Sequence, residues 1–164
     1  VGKGFEKGTV FLPQLLMSAD AAKIAFAVLK DELAKSGESE QAKDKVILAT
    51  VKGDIHDIGK NIVKVLLENY SFDVIDLGKD VPADEIIAAA KEHNASIIVL
   101  SALMTTTMMR MKDTIALKEK EHLDVKVMIG GAVTTQSFAD EIGADGYSAD
   151  AADAVRLAKK LLAE

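Results

Sequence analysis

An aspartate and a histidine, Asp54 and His56, stand two residues apart directly after an apolar run that predicts a buried strand. The carboxylate can orient one ring nitrogen of the histidine, which leaves the other nitrogen free to bind a metal ion. One histidine does not build a zinc site, which needs about three or four protein ligands, and His93 and His122 lie in helical segments with charged neighbours. A metal at His56 would therefore bring its own ligands, as the metal of a macrocycle does. The alternative is that Asp54 or Asp57 caps a helix and that the histidine is a surface residue.

Two later segments also carry residues that suit a ligand. Ser101 and the threonines at 105–107 offer uncharged hydroxyls, which bind polar groups of a large ligand. Helix capping by one of the threonines is the alternative. Gly130 and Gly131 remove side chains where the backbone could approach a flat or bulky group, or they form a plain turn.

Strands and helices are predicted to alternate after residue 44, and continuous apolar runs indicate parallel strands covered on both faces. The predicted fold class is α/β, a flavodoxin-like, doubly wound five-stranded parallel sheet in the order 2-1-3-4-5, preceded by a partial helical bundle. The predicted strands are 45–51, 73–77, 96–101, 125–129 and 145–148, and the predicted helices are 58–69, 83–93, 107–121, 135–142 and 150–163. In this order the three segments that suit a ligand meet at one edge of the sheet, at its switch point.

The residues before this sheet predict two further parts. Residues 1–36 contain one long apolar helix, entered at Pro13 and ended by Gly37, and residues 37–44 are polar and read as a linker. One helix with so wide an apolar surface needs more than one neighbour. We therefore expect a fragment of a larger protein or a homo-oligomer formed through this exposed partial cap, with residues 45–164 as the ligand-binding domain.

Composition excludes several classes of function. The 164 residues carry a formal net charge of −6 and no cysteine, which argues against nucleic acid or an anionic membrane as partner and excludes thiolate chemistry. The sequence has no membrane-spanning run and no visible signal peptide. A cytoplasmic location is therefore predicted.

The pattern Asp54-x-His56-x-x-Gly59, then Ser101-x-Leu103, then Gly130-Gly131 resembles the cobalamin (B12)-binding signature of methionine synthase and of the methyltransferase corrinoid proteins. The segment that contains Phe11-Leu12-Pro13-Gln14 resembles the last part of the helical cap that precedes this domain, so the cap is truncated here. The resemblance implies a methyl carrier that binds methylcobalamin or cob(I)alamin. Alone it would be non-catalytic, and it would serve methyl-donor and methyl-acceptor methyltransferase domains or subunits.

The resemblance also implies a role for individual residues. His56 would be the lower axial ligand of cobalt, and Asp54, with Thr107 where methionine synthase usually has a serine, would complete a relay of hydrogen bonds that moves a proton. Phe11 and Leu15 would shield the methyl side of the corrin. The implied cofactor contacts are Asp54, His56, Asp57, Ile58, Gly59, Ser101, Leu103, Thr105, Gly130, Gly131, Phe11 and Leu15.

Other functions remain open at this point. The small subunit of an adenosylcobalamin-dependent mutase would keep the cofactor, although it generally lacks the helical cap. A cobalamin-sensing regulatory module would need a DNA-binding segment. A phospho-receiver or flavin domain has the same fold but other residues in its loops: a receiver needs a lysine after the fifth strand, where Tyr147 and Ser148 stand instead.

Overall fold

The computed structural model describes residues 44–163 and, before them, positions 4, 7–11, 13–15, 17, 18 and 21. The chain divides into two compact units, Val1–Lys43 and Asp44–Glu164. In the first unit, residues 13–15, 17, 18 and 21 are helical. The remainder of the predicted long helix and the predicted linker, except for Asp44, lie outside the described residues.

The second unit contains a five-stranded parallel sheet in the order β2-β1-β3-β4-β5, which confirms the predicted topology. Helices follow the strands along the chain, as expected for parallel strands that need crossover connections. The strands are β1 Lys45–Val51, β2 Asp73–Val81, β3 Ile97–Ser101, β4 Lys126–Gly130 and β5 Gly146–Ser148. The helices, labelled from residue 44 onward, are α1 Ile58–Asn69, α2 Ala83–His93, α3 Thr105–Met108, α4 Arg110–Lys120, α5 Gln136–Ile142 and α6 Ala151–Ala163.

Two elements differ from the predicted bounds by more than one residue. Strand β2 continues to Val81, because after a register shift the residues beyond Gly78 still pair with β1. The helix predicted over 107–121 begins at Thr105 and is divided at Met109. At the division the Lys112 N–H bonds to the Met109 carbonyl, three residues earlier, and such a tight turn interrupts the regular α-helical bonding.

The two faces of the sheet are covered by different helices. On one face, alternate strand residues such as Ile47 and Ile98 join α2, α4 and α5 in one large buried apolar cluster. The intervening residues, such as Leu48 and Val99, point to the opposite face. On that face α1 and α6 contact each other, α1 contacts β1 and β2, and α6 contacts β4 and β5.

None of the helices in the described part of the chain is both long and apolar enough to cross a bilayer.

Candidate functional site

The loop that joins β1 to α1 carries Asp54 and His56, and residues of β1 and β2 hold it by hydrogen bonds. Asp80, at the end of β2, accepts a hydrogen bond from the Gly53 N–H at 2.7 Å and donates its own N–H to the Asp54 carbonyl at 2.9 Å. The Thr50 hydroxyl donates to the His56 carbonyl at 3.4 Å. The backbone of the loop is therefore fixed by residues of β1 and β2.

Asp54 lies at the centre of a hydrogen-bond network. Its side chain is completely buried, with 0% exposure. Carboxylate Oδ1 accepts from the His56 N–H at 3.0 Å and lies 2.8 Å from His56 Nδ1. Oδ2 accepts from the N–H groups of Leu103 at 2.8 Å and Met104 at 3.3 Å, and from the Thr107 hydroxyl at 2.7 Å. The structure thus brings together three sequence-predicted residues, Asp54, His56 and Thr107.

The network keeps Asp54 ionised. Burial by itself raises the pKa of this carboxyl, but hydrogen bonds from the Leu103 N–H, the His56 N–H, the Thr107 hydroxyl and the His56 ring outweigh it. Together they hold the pKa of Asp54 well below its ordinary value, because each of them stabilises the charged form.

The second ring nitrogen of His56, Nε2, has no hydrogen-bond partner among the residues that the structure describes and is available to a ligand. An ionised carboxylate can only accept hydrogen bonds, so the ring nitrogen beside Asp54, Nδ1, carries the proton. In a neutral imidazole Nε2 then keeps its lone pair. The histidine side chain is 46% exposed, so a ligand can reach the imidazole ring from solvent. Such a histidine, oriented by a carboxylate, is suited to metal ligation.

A cavity of about 710 Å³ opens beside His56 at the carboxyl end of the sheet. Most of the sequence-predicted cofactor residues line it, and three of its lining residues, Ile55, Ile58 and Leu103, are large apolar side chains exposed to solvent. The predicted residues along the wall are His56, Asp57, Ile58, Gly59, Ser101, Leu103, Gly130 and Gly131. The volume lies within the range of small-molecule sites.

Other predicted residues lie elsewhere. Asp54 and Thr107 are buried behind the wall, and Thr105 is exposed at the start of α3 without lining the cavity. Phe11 and Leu15 belong to the first unit, where Phe11 is 70% exposed and Leu15 is buried. Their predicted role on the methyl side of the corrin stays a prediction.

The structure adds lining residues that the sequence did not mark. Lys60 is buried in α1, where it pairs with Asp76 of β2 at 2.5 Å. Tyr147, Ser148, Ala149 and Asp150 come from the end of β5 and the turn after it. The predicted strand order could have identified this second group, because in a parallel sheet the carboxyl end of β5 lies on the same edge as the other loops.

The glycines of the site serve different purposes. Gly131 has a φ of +127°, and a Cβ there would lie 2.0 Å from the Ala102 carbonyl oxygen, so the protein's own backbone requires this glycine. Gly59 has ordinary helical backbone, and a Cβ there would meet nothing within 4 Å. Open space at a residue that lines the cavity is what a site for a bulky ligand needs.

The donor set fits a metal that arrives inside a macrocycle. Among the described residues, no group of three or more histidine, cysteine or carboxylate side chains could hold a free metal ion. One oriented imidazole can supply a single axial ligand, and the apolar residues around it suit a large organic ring. The adjoining cavity, with its hydroxyls and glycines, can receive a substituent of that ring.

Comparison with known proteins gives concordant results. A family model described as a B12 binding domain matches residues 44–156, and a second model with the same description matches residues 1–30. A corrinoid protein of Desulfitobacterium hafniense is 50% identical, over 99% of this chain and 76% of that protein. Dimethylamine corrinoid protein 1 of Methanosarcina acetivorans is 48% identical, over 99% of this chain and 77% of that protein.

A solved structure has the same architecture. A chain in the crystal structure of the methanol:cobalamin methyltransferase complex of Methanosarcina barkeri superposes with a TM-score of 0.88 at 35% identity. The match covers 98% of this chain and 61% of that chain.

Proposed function

The chain belongs to the B12-binding domain family of methyltransferase corrinoid proteins, and from this premise we propose that it is a cobalamin-binding methyl carrier in which His56 is the lower axial ligand of cobalt. The observation that carries the proposal is the Asp54–His56 pair at 2.8 Å beside the cavity. When bound, cobalamin supplies a cobalt ion that can hold a methyl group between a donor and an acceptor.

The residues of the pair would act as one unit. His56 would present Nε2 to the metal, and Asp54 Oδ1 would hold the proton on Nδ1 and fix the plane of the ring. The Thr107 hydroxyl lies 2.7 Å from Asp54 Oδ2 and 2.9 Å from the Met104 carbonyl, and it can donate to only one of them at a time. If it turns to Met104, the carboxylate loses a donor and pulls the Nδ1 proton more strongly, which makes Nε2 a better ligand. Thr107 would in this way adjust the strength of His56.

The cavity would receive the nucleotide tail of the cofactor, and His56 would serve as the protein's ligand to cobalt. Its wall between β1 and β3 includes Gly59, Ser101 and Leu103, and the end of β4 adds Gly130 and Gly131. Hydroxyls and glycines suit a polar tail that must pass close to the backbone. Ile55 and Ile58, exposed beside His56, would be covered by the apolar corrin ring.

The partners would be separate methyltransferase subunits, and the chain would have little turnover alone. Two of the proteins it resembles are named for dimethylamine and for a methanol:cobalamin methyltransferase complex. We therefore propose a methylated amine or methanol as the methyl donor, in preference to the methionine synthase reaction. Residues 1–36 would form part of a helical cap and 37–44 a linker, with 45–164 as the cobalamin domain. The matches to residues 1–30 and 44–156 support this division.

The test is a visible-spectrum titration of the protein with methylcobalamin, with His56→Ala and His122→Asn compared to the wild type. His122 is exposed and its φ is 51°, a conformation that asparagine tolerates, which makes it a matched control. The wild type and the control should show a spectrum with a protein nitrogen in place of the nucleotide base, and His56→Ala should not. An unchanged spectrum with the wild type at high protein concentration, or a normal spectrum with His56→Ala, would contradict the assignment.

A further inference from the structure

Strand β2 departs from regular strand geometry near its carboxyl end, at Asp80. Ala49 of β1 pairs with Gly78 of β2, and the next paired residues are Val51 and Val81, so β2 has one more residue than β1 over this interval. Such a bulge re-aims the side chain of the extra residue. Asp80 lies within the interval, and its φ of +58° is in the left-handed region, which is uncommon for residues other than glycine.

The two polar groups that this geometry re-aims both bond to the turn after β1. The turn is closed by a hydrogen bond from the Asp54 N–H to the Val51 carbonyl at 3.1 Å. Asp80 Oδ1 accepts from the Gly53 N–H at 2.7 Å, and the Asp80 N–H donates to the Asp54 carbonyl at 2.9 Å. The Gly53 N–H and Lys52, whose Nζ lies 3.2 Å from Oδ1, lower the pKa of the Asp80 carboxyl. Asp80 therefore accepts as a charged carboxylate, which makes the stronger hydrogen bond.

These bonds fix a part of Asp54 that the rest of its network leaves unfixed. The Leu103 N–H and the Thr107 hydroxyl hold the carboxylate oxygen Oδ2. They do not hold the main chain of Asp54, from which His56 follows two residues later. Asp80 holds that main chain at the carbonyl of Asp54 and at the preceding N–H. Both ends of Asp54 must be in place for its Oδ1 to meet the N–H and the ring of His56.

We propose that Asp80 is a positioning residue for His56, which holds the turn after β1 so that the imidazole ring stands where it can ligate cobalt. The inference rests on the proposed function, because it requires that His56 is the ligand. Asp80 does not line the cavity, so its effect on the metal would pass through the main chain of Gly53 and Asp54. Loss of this hold should lower the share of bound cofactor that the histidine ligates.

Four variants separate the carboxylate from its surroundings. Asp80→Gly removes the acceptor but keeps the backbone N–H and tolerates the positive φ. Asp80→Asn keeps an acceptor oxygen and also tolerates this φ. Lys52→Gln removes the ion pair at a side chain that is 55% exposed. Asn94→Gly is the matched control, because Asn94 is exposed, has a φ of +52° and precedes β3 at the opposite edge of the sheet.

Two measurements report on the histidine itself. The first is amide hydrogen exchange of the His56 N–H, followed by NMR without cofactor, because this N–H bonds to Asp54 Oδ1. The second is the ratio of nitrogen-ligated to unligated cofactor at saturating methylcobalamin, read from the visible spectrum. In Asp80→Gly the exchange should accelerate and the ratio should fall, each by about threefold to tenfold for one lost hydrogen bond. Asp80→Asn, Lys52→Gln and Asn94→Gly should stay close to the wild type.

The outcomes distinguish this proposal from the one on which it rests. Wild-type exchange and a wild-type ratio in Asp80→Gly would overturn the role of Asp80 and leave the cofactor assignment intact. Equal changes in Asp80→Gly and Asn94→Gly would also overturn it, because the effect would then come from general destabilisation, as would a failure of Asp80→Asn to restore the ratio. A wild-type chain without a nitrogen-ligated spectrum would overturn the proposed function and the ligation that Asp80 serves.

Discussion

The two faces of the sheet are filled in different ways. On the face of α2, α4 and α5 the protein's own side chains form a continuous apolar cluster, in which Ile47 and Ile98 have no exposed surface. On the face of α1 and α6 the packing is complete near Val46 and Ile97, but a cavity of about 710 Å³ begins toward the carboxyl end, beside Leu48 and Val99. The same strands therefore build a closed core on one side and a binding site on the other.

The two faces of the sheet separate stability from function. A side chain in the closed cluster is surrounded by atoms that cannot collapse freely, so its loss costs stability. A side chain on the cavity wall already borders open space, so its loss mainly changes the shape of a site. Substitutions that are chemically alike should therefore cost more stability on the closed face than on the open face.

Truncation of one isoleucine on each face gives the largest contrast. Ile98→Ala should lower the free energy of unfolding by about 2–5 kcal/mol, because Ile98 is fully buried in the closed cluster. Ile62→Ala should cost about 1 kcal/mol or less, because Ile62 is half-buried and borders the cavity. Urea unfolding of both variants measures the two values. Equal costs would mean that the cavity is closed in solution and that the two faces do not differ.

Replacement of the buried carboxylate of Asp54 should have the next largest effect on stability. In Asp54→Asn the side chain has one acceptor oxygen and one donor NH2 group, which cannot serve the donors now shared by Oδ1 and Oδ2. We expect a loss of about 1–3 kcal/mol from the donor left without an acceptor. His56 should also lose its fixed ring orientation.

The same variant should change the acid stability in a defined direction. The pKa of Asp54 is lowered in the folded chain, so its contribution to stability is fully present above its ordinary value of 3.8 and is lost as the pH falls below that value. The difference in unfolding free energy between wild type and Asp54→Asn should therefore shrink below about pH 4. Subtracting the two curves removes the contributions of Asp76 and Asp80, whose pKa values are also lowered. A difference that stays constant down to acid pH would contradict the network.

The sequence predicted the strand order because the strands are apolar on both faces and alternate with helices, a pattern that few folds satisfy. It was wrong about the end of β2, where pairing with β1 resumes after a register shift and reaches Val81, beyond the charged residues Lys79 and Asp80. The sequence also did not predict the division of the 107–121 helix at Met109, because the residues before and after Met109 are both helical and no helix-breaking residue lies between them.

The candidate site was predictable where side-chain type alone carries the information, as at Asp54 and His56. From sequence, Thr107 could cap a helix or join a relay, and its distance of 2.7 Å from Asp54 Oδ2 is known only from the structure. Ser148 was not predicted at all, because its place depends on register across β4 and β5 rather than on any local motif. Residues of this kind are identified from the pairing of the strands and not from a sequence motif.

Replacement of Gly59 by alanine should give the smallest change in stability, and this change should be an increase. The backbone of Gly59 is helical and a Cβ would meet no atom within 4 Å, so Gly59→Ala should stabilise the chain by up to about 1 kcal/mol through the helix propensity of alanine. Affinity for cobalamin should nevertheless fall, and fall further in Gly59→Leu, because the added atoms occupy space on the cavity wall. Gly131→Ala is the matched opposite, since its Cβ would collide with the Ala102 carbonyl and cost stability with or without cofactor. Thermal unfolding and cobalamin titration of the three variants measure both quantities. Unchanged affinity in Gly59→Leu would mean that α1 does not line the cobalamin site. It would contradict the proposal that the cofactor occupies the cavity on the open face.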